Sequence, residues 1–204
     1  MSIPTTCEKH GGFSLLELLL TLIILTTLSV IFLSGGRQGI QDRAMRQCEA
    51  NIQKIHIALS IYAMDHDGLF PVAEKPRGPQ EPLSALIPLY TTDTDLFVCP
   101  GAEDKPPPQG KPFPKRKISY SYYMGWRKTD PGQSPLLSDR QIPANAPESR
   151  LGSMFSTTGE KPGSNHHKYG GNVLFIDGST KRLAPKKAPP FEYPAHVKLL
   201  IPSQ

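Results

Sequence analysis

Gly12-Phe13-Ser14-Leu15-Leu16-Glu17 opens a stretch that runs on as LLLTLIILTTLSVIFL to Leu33. From Phe13 to Leu33, 15 of 21 residues are apolar, five of the rest are Ser or Thr, and the remaining one is Glu17. A run of this length matches the roughly 20 residues an α-helix needs to cross a bilayer. A carboxylate inside such a run costs about 2.5–3.5 kcal/mol on insertion scales, so it marks a functional position and calls for a partner. The partner to expect for Glu17 is an amine. Two generic readings compete. A secretory signal has an apolar region of about 7–15 residues ending in a small-x-small cleavage site. Here the run is longer and Ser34-Gly35-Gly36 substitutes poorly for that site. A plain single-pass anchor leaves Glu17 unexplained.

Gly12, then Phe13-x-x-x-Glu17 before an apolar helix, resembles the type IV prepilin motif. The resemblance implies cleavage between Gly12 and Phe13 by a prepilin peptidase and N-methylation of the new terminal Phe13. It also implies pairing of Glu17 with the Phe13 amine of a neighbouring subunit during filament assembly. Opposite charges in a low dielectric are tolerable only together, which agrees with that pairing. The leader then spans 1–12 and takes Cys7 with it, so the mature chain keeps Cys48 and Cys99.

The proline distribution predicts the architecture. Of 22 prolines, Pro4 is the only one before Pro71. Proline inside a helix costs about 3 kcal/mol, so the gap permits one helix from Phe13 to about Asp65, a membrane part at 13–36 and an amphipathic continuation at 37–70. At ~1.5 Å per residue that helix is roughly 80 Å long. Ile40, Ala44, Cys48, Ile52, Ile55, Leu59 and Tyr62 recur three or four residues apart, an apolar stripe that a domain must cover. Gly35, Gly36 and Gly39 weaken the junction between the halves. Cys48 on the stripe favours a buried free thiol over a bridge to Cys99. The helix is expected to stop at Asp65-His66-Asp67-Gly68, where Gly68 accepts a left-handed conformation and Pro71 bars continuation. Tyr62 to Pro71 resembles the helix exit of type II secretion pseudopilins. Asp65, His66 and Asp67 read as a solvated cap and turn in preference to a metal site.

Residues 71–187 read as a small, loop-rich β domain and 188–204 as a tail. Leu83 to Tyr90 suggests a short helix or turn, Leu96-Phe97-Val98 an apolar contact, and 101–114 an extended proline-rich loop. Strands are expected over Ile118 to Trp126 and Ser134 to Asp139. Asn172 to Ile176 and Ser179 to Leu183 read as a hairpin around Asp177-Gly178, both turn residues taking positive φ. His167 with Asp177 and Gly178 resembles the C-terminal His-x9-Asp-Gly motif of prepilin-like proteins. Phe97 to Pro100, Ser119 to Tyr122 and Leu136 to Asp139 look like that family as well. The best constellation for a metal or a hydrolytic centre is Asp139, His166, His167 and Asp177, against which stands a plain hairpin with histidines bonding nearby loops. No phosphate loop, nucleophile elbow, Cys-x-x-Cys or His-Glu-x-x-His occurs.

The fold expected is therefore α+β, a pilin-like lollipop in which the long helix carries a small antiparallel sheet. By resemblance the function is that of a pseudopilin, a non-enzymatic filament subunit for type II secretion or a related machine. Its partners are the prepilin peptidase, other pilin or pseudopilin subunits, inner-membrane secretion machinery and lipid. The alternatives are a minor pilin for adhesion or DNA uptake, and a membrane-anchored metal-binding or hydrolytic protein using His167 and Asp177. No cofactor is expected. Calcium, which major pseudopilins bind in a C-terminal loop, has no dense acidic cluster here to hold it. The net charge of +5, from 23 basic and 18 acidic residues without a like-charge run, does not call for nucleic acid. The expected location is the bacterial inner membrane, N-terminus cytoplasmic and C-terminal domain periplasmic.

Overall fold

The computed structural model describes residues 14–113, 115, 117–147, 152–160, 162–163, 165–166, 169–185 and 189–203, and over 33–38 it describes the backbone alone. Gly12, Phe13 and His167 thus lie outside the described residues. The chain divides into two compact units, Met1–Ile40 and Gln41–Gln204. Helix α1 covers Leu15–Asp65 and belongs to both. It is continuous at Gly35, Gly36 and Gly39. In the first unit its Leu15–Phe32 stretch is long and apolar enough to cross a membrane, and none of it is buried.

The second unit is built around a five-stranded antiparallel sheet of order β4-β3-β2-β1-β5. The strands are β1 (Tyr120–Met124), β2 (Pro135–Asp139), β3 (Gly171–Phe175), β4 (Thr180–Leu183) and β5 (Lys198–Leu200). The register pairs Tyr120 with Asp139, Ser138 with Val173 and Leu174 with Thr180. The first four strands fall within the stretches expected to be strands, 118–126, 134–139, 172–176 and 179–183, with β3 starting one residue earlier. β5 falls inside the expected tail, where its three residues pair with Met124, Tyr123 and Tyr122 of β1. A three-residue edge strand is too short for a period-2 pattern to register, and only the partner strand defines it.

Both faces of the sheet are covered. Against one lies α1, whose Cys48, Ile52, Ile55, Leu59 and Ala63 are buried with Tyr120, Tyr122, Leu137 and Leu174 in one core. The stripe is the predicted one with a later start, since Ile40 is 65% exposed and burial begins at Met45. On the other face Val173 and Phe175 pack with Met154 and Phe155. β3 thus sends alternate side chains to opposite layers, as a strand buried on both sides must. Burying each large aliphatic side chain contributes about 1.5–3 kcal/mol.

α1 ends as the sequence predicts, with Gly68 at φ +78 and its N–H donating to the Ala63 carbonyl at 2.7 Å, a Schellman-type closure. Asp67 also takes a positive φ. His66 stacks on Tyr62 with ring centroids 3.8 Å apart, and Asp65 accepts a hydrogen bond from the Tyr90 hydroxyl. Helix α2 (Gln80–Leu83) and a 3₁₀ turn over Ser84–Leu86 form the short helical element expected near Leu83. A second 3₁₀ turn, Thr94–Phe97, carries the chain inward to Cys99.

Cys48 and Cys99 form a disulfide, which corrects the expectation of a free thiol. Their Cα atoms stand 5.3 Å apart, inside the usual range for a bridge. An inward stripe position suits a half-cystine as well as a thiol, and the sequence does not reveal that the turn at 94–97 delivers Cys99 to the same point.

Candidate buried polar centre

The sheet end nearest Cys99 holds a cluster of polar groups in an otherwise apolar interior. Asp139 closes β2 and is 1% exposed. Its Oδ2 accepts hydrogen bonds from the Asn172 backbone N–H at 2.7 Å and the Asn172 side-chain amide at 3.1 Å, and contacts His166 Nε2 at 3.2 Å. Its Oδ1 accepts from the Asn165 amide at 3.0 Å. Carboxylate oxygens offer about four acceptor sites, and here four nitrogens surround them. Such saturation is what a buried carboxyl group requires.

Each partner is held by a separate segment. Asn172 occupies the α1-facing side of β3 and also donates to the Met45 carbonyl. Asn165 also donates to the Ser119 carbonyl at 2.7 Å. The His166 ring is wholly buried, and its Nε2 lies 3.5 Å from Cys99 Sγ. Two glycines make room: a Cβ on Gly101 would stand 2.9 Å from His166 Nδ1, and one on Gly171 would stand 2.9 Å from Asp139 Cβ. Beside the cluster the Tyr120 hydroxyl pKa is raised well above its ordinary value, first by burial and then by the negative charge of Asp139. Arg140 pairs with Asp104, which also accepts from the Ser119 hydroxyl, and this fastens the 101–114 loop to the sheet.

Of the four residues singled out in the sequence, Asp139 and His166 meet. Asp177 stands apart, exposed in the β3–β4 turn, where it accepts from the Ser179 N–H and hydroxyl and from the Gln133 amide. Those bonds, led by the Ser179 hydroxyl, lower the Asp177 pKa. His167 lies outside the described residues, so the pairing of His167 with Asp177 has no geometry to report.

The hairpin is present, with a different turn from the one expected. Gly178 has φ +85, while among non-glycine described residues only Asp67 has a positive φ. The Gly178 N–H donates to the Phe175 carbonyl and the Phe175 N–H to the Ser179 carbonyl. Ile176 and Asp177 therefore form the centre of the turn, and Gly178 supplies the left-handed residue that follows it. The turn rests on α1: His56 Nε2 lies 3.1 Å from the Ile176 carbonyl, and a Cβ on Gly178 would fall 2.8 Å from the His56 ring.

The sequence reading missed the roles of Asn165 and Asn172 and favoured a free thiol over the disulfide. Asn172 carried a usable signal, being a polar residue at an inward position of an apolar strand after Gly170-Gly171. Among the described residues, the one group of three or more candidate metal donors is Cys48, Cys99, Asp139 and His166. Asp65, His66 and Asp67 form no such group. Compared with family models, curated proteins and solved structures, the chain finds no match.

Proposed function

We propose that the chain is a structural subunit of a type IV pilin-like filament, in the manner of a type II secretion pseudopilin. The observation that carries this reading is Glu17. It is the one ionisable residue in the Leu15–Phe32 stretch, which is helical, apolar and unburied, and it follows Gly12-Phe13 at the spacing of the prepilin motif. Cleavage after Gly12 creates an amine four residues before Glu17. A neighbour's amine then meets the carboxylate and neutralises a charge that lipid penalises. The helix is thus poorly suited to remain alone in lipid and better suited to a bundle of its own kind.

The α+β unit at 41–204 fits a subunit whose work is mechanical. Its polar centre is closed, and Asp177 of the C-terminal motif serves a turn. In this proposal the protein performs no catalysis, is processed by a prepilin peptidase, and resides in an inner membrane with residues 41–204 on the outer side. It assembles with other subunits to move protein cargo. The test is N-terminal mass spectrometry of the protein from membranes of cells with and without a prepilin peptidase, together with Glu17→Ala. The expected product is a chain beginning at methylated Phe13 only where the peptidase is present, with Glu17→Ala processed but absent from filaments. An uncut chain, or one cut beyond Leu33, overturns the proposal and turns attention to the His167 and Asp177 region.

A further inference from the structure

The four buried donors under the sheet come from α1, the turn after 94–97, β2 and the loop before β3, and their ligand atoms all lie within 4.8 Å of one another. Their spacing resembles a coordination shell. His166 Nε2 is 3.2 Å from Asp139 Oδ2 and 3.5 Å from Cys99 Sγ. A tetrahedral zinc ion, with bonds of about 2.0–2.1 Å to nitrogen and oxygen and about 2.3 Å to sulfur, separates such ligands by roughly 3.3 and 3.6 Å. One feature keeps the shell closed: the two sulfurs are bonded to each other, and only a thiolate is an effective ligand.

We propose that Cys48, Cys99, Asp139 and His166 form a redox-gated site for a thiophilic divalent cation of the zinc class, shut by the disulfide and opened by a dithiol reductant. The reductant's thiolate attacks one sulfur and the Cys48–Cys99 bond breaks. The reductant's second thiol resolves the mixed disulfide and leaves as a disulfide, so two electrons and two protons pass to the cysteines. The cation then displaces the two thiol protons and is held by two thiolates, one carboxylate and one imidazole. With all four positions taken by protein the site is structural, with no open position for a substrate.

Two further observations support this assignment. Asn172, on Oδ2, and Asn165, on Oδ1, already hold the carboxylate by hydrogen bonds, the role that outer-shell partners play around bound metals. A cleft of about 440 Å³ lined by Asn51, Val98, Cys99 and Asp104 gives solutes an approach to the cysteine side of the cluster. The cluster therefore has two closed states, cross-linked by sulfur when oxidised and by metal when reduced. The same covalent and charge requirements are met in both.

The experiment uses the full chain in detergent, oxidised or reduced with a water-soluble phosphine, which consumes one water and becomes the phosphine oxide as it delivers the two electrons. Each form is titrated with Co²⁺ and then with Zn²⁺ and followed by absorption. The reduced chain should bind one Co²⁺ with thiolate charge-transfer and intense tetrahedral d–d bands that Zn²⁺ abolishes, and the oxidised chain should show neither. His166→Gln, checked for folding in its oxidised form, should lose the tetrahedral spectrum. If reduction unfolds the unit, Zn²⁺ must restore its near-ultraviolet circular dichroism. No binding by the reduced chain, an octahedral spectrum, failure of Zn²⁺ to refold it, or an unchanged spectrum in His166→Gln overturns the site.

Discussion

The two halves of α1 both carry large aliphatic side chains, and these live in opposite surroundings. Leu18, Leu20, Ile23 and Ile24 in the first half are about half exposed, while Ile52, Ile55 and Leu59 in the second are fully buried. Both halves are helical without interruption. The difference lies in what the rest of the chain supplies. The second half mixes polar and apolar residues, burying one apolar stripe under the sheet and leaving Ile57, Ile61 and Met64 exposed among polar side chains. The first half is apolar all round, a pattern that suits a helix needing cover on every side. Among the described residues of the first unit none provides that cover, and a membrane, or in the proposed filament a bundle of equivalent helices, would supply it. Helicity is thus common to both regions, and patterning decides where the stabilisation comes from.

The same chemical change at two points should separate the halves most widely. Ile55→Asp puts a carboxylate without donors into the core and is expected to cost more than about 4 kcal/mol, abolishing the melting transition of the Gln41–Gln204 unit. Leu20→Asp should leave that transition where it was and weaken membrane insertion by about 2.5–3.5 kcal/mol. Near-ultraviolet circular dichroism of Trp126 and the tyrosines in detergent reads the first effect, and extraction from membranes reads the second. A melting point lowered by Leu20→Asp would break the comparison by coupling the halves.

Removing the disulfide is the next largest effect. Cys48→Ser releases a bridge spanning 51 residues, for which chain-entropy reasoning gives about 4 kcal/mol. Calorimetry of the variant should show a lower melting temperature for the folded unit. An unaltered melting temperature would mean that stripe packing alone carries the second half.

A smaller effect is expected where the hairpin rests on the helix. Gly178→Ala must accept φ +85 and a contact with the His56 ring at 2.8 Å, a cost of about 1–2 kcal/mol. Urea denaturation should register it as a shifted midpoint with an unchanged slope. A neutral result would show that the turn can move off α1, and would sharpen the account by confining the helix's cover to the central strands.

Much of this fold was legible in local patterns because the signals were strong and redundant. The absence of proline before Pro71 and the spacing of Cys48, Ile52, Ile55 and Leu59 specify the helix and its buried face. Asp67-Gly68 specifies its end, alternation at 120–124 specifies one strand, and the apolar run before Asp177-Gly178 specifies another. Strand β5 was not legible, because three residues carry no period. The turn type at Asp177-Gly178 was misread, since the same dipeptide serves two turn geometries and its seat against His56 decides between them.

The candidate centre divides in the same way. Asp139 and His166 stood out as residue types capable of chemistry, but His167 and Asp177 stood out equally, and Asn165 and Asn172 did not stand out at all. By itself the sequence determined helix α1 and its end, the membrane-length apolar run with its one carboxylate, and the face of α1 that must be covered, since each depends on neighbours a few residues away. Only the tertiary structure decided that Cys48 meets Cys99, that Asp139 is surrounded by Asn165, His166 and Asn172, and that Asp177 is left at the surface. Those contacts join residues 26 to 51 positions apart, and at such separations it is the packing of the sheet on the helix, rather than any local preference, that sets which side chains share the interior.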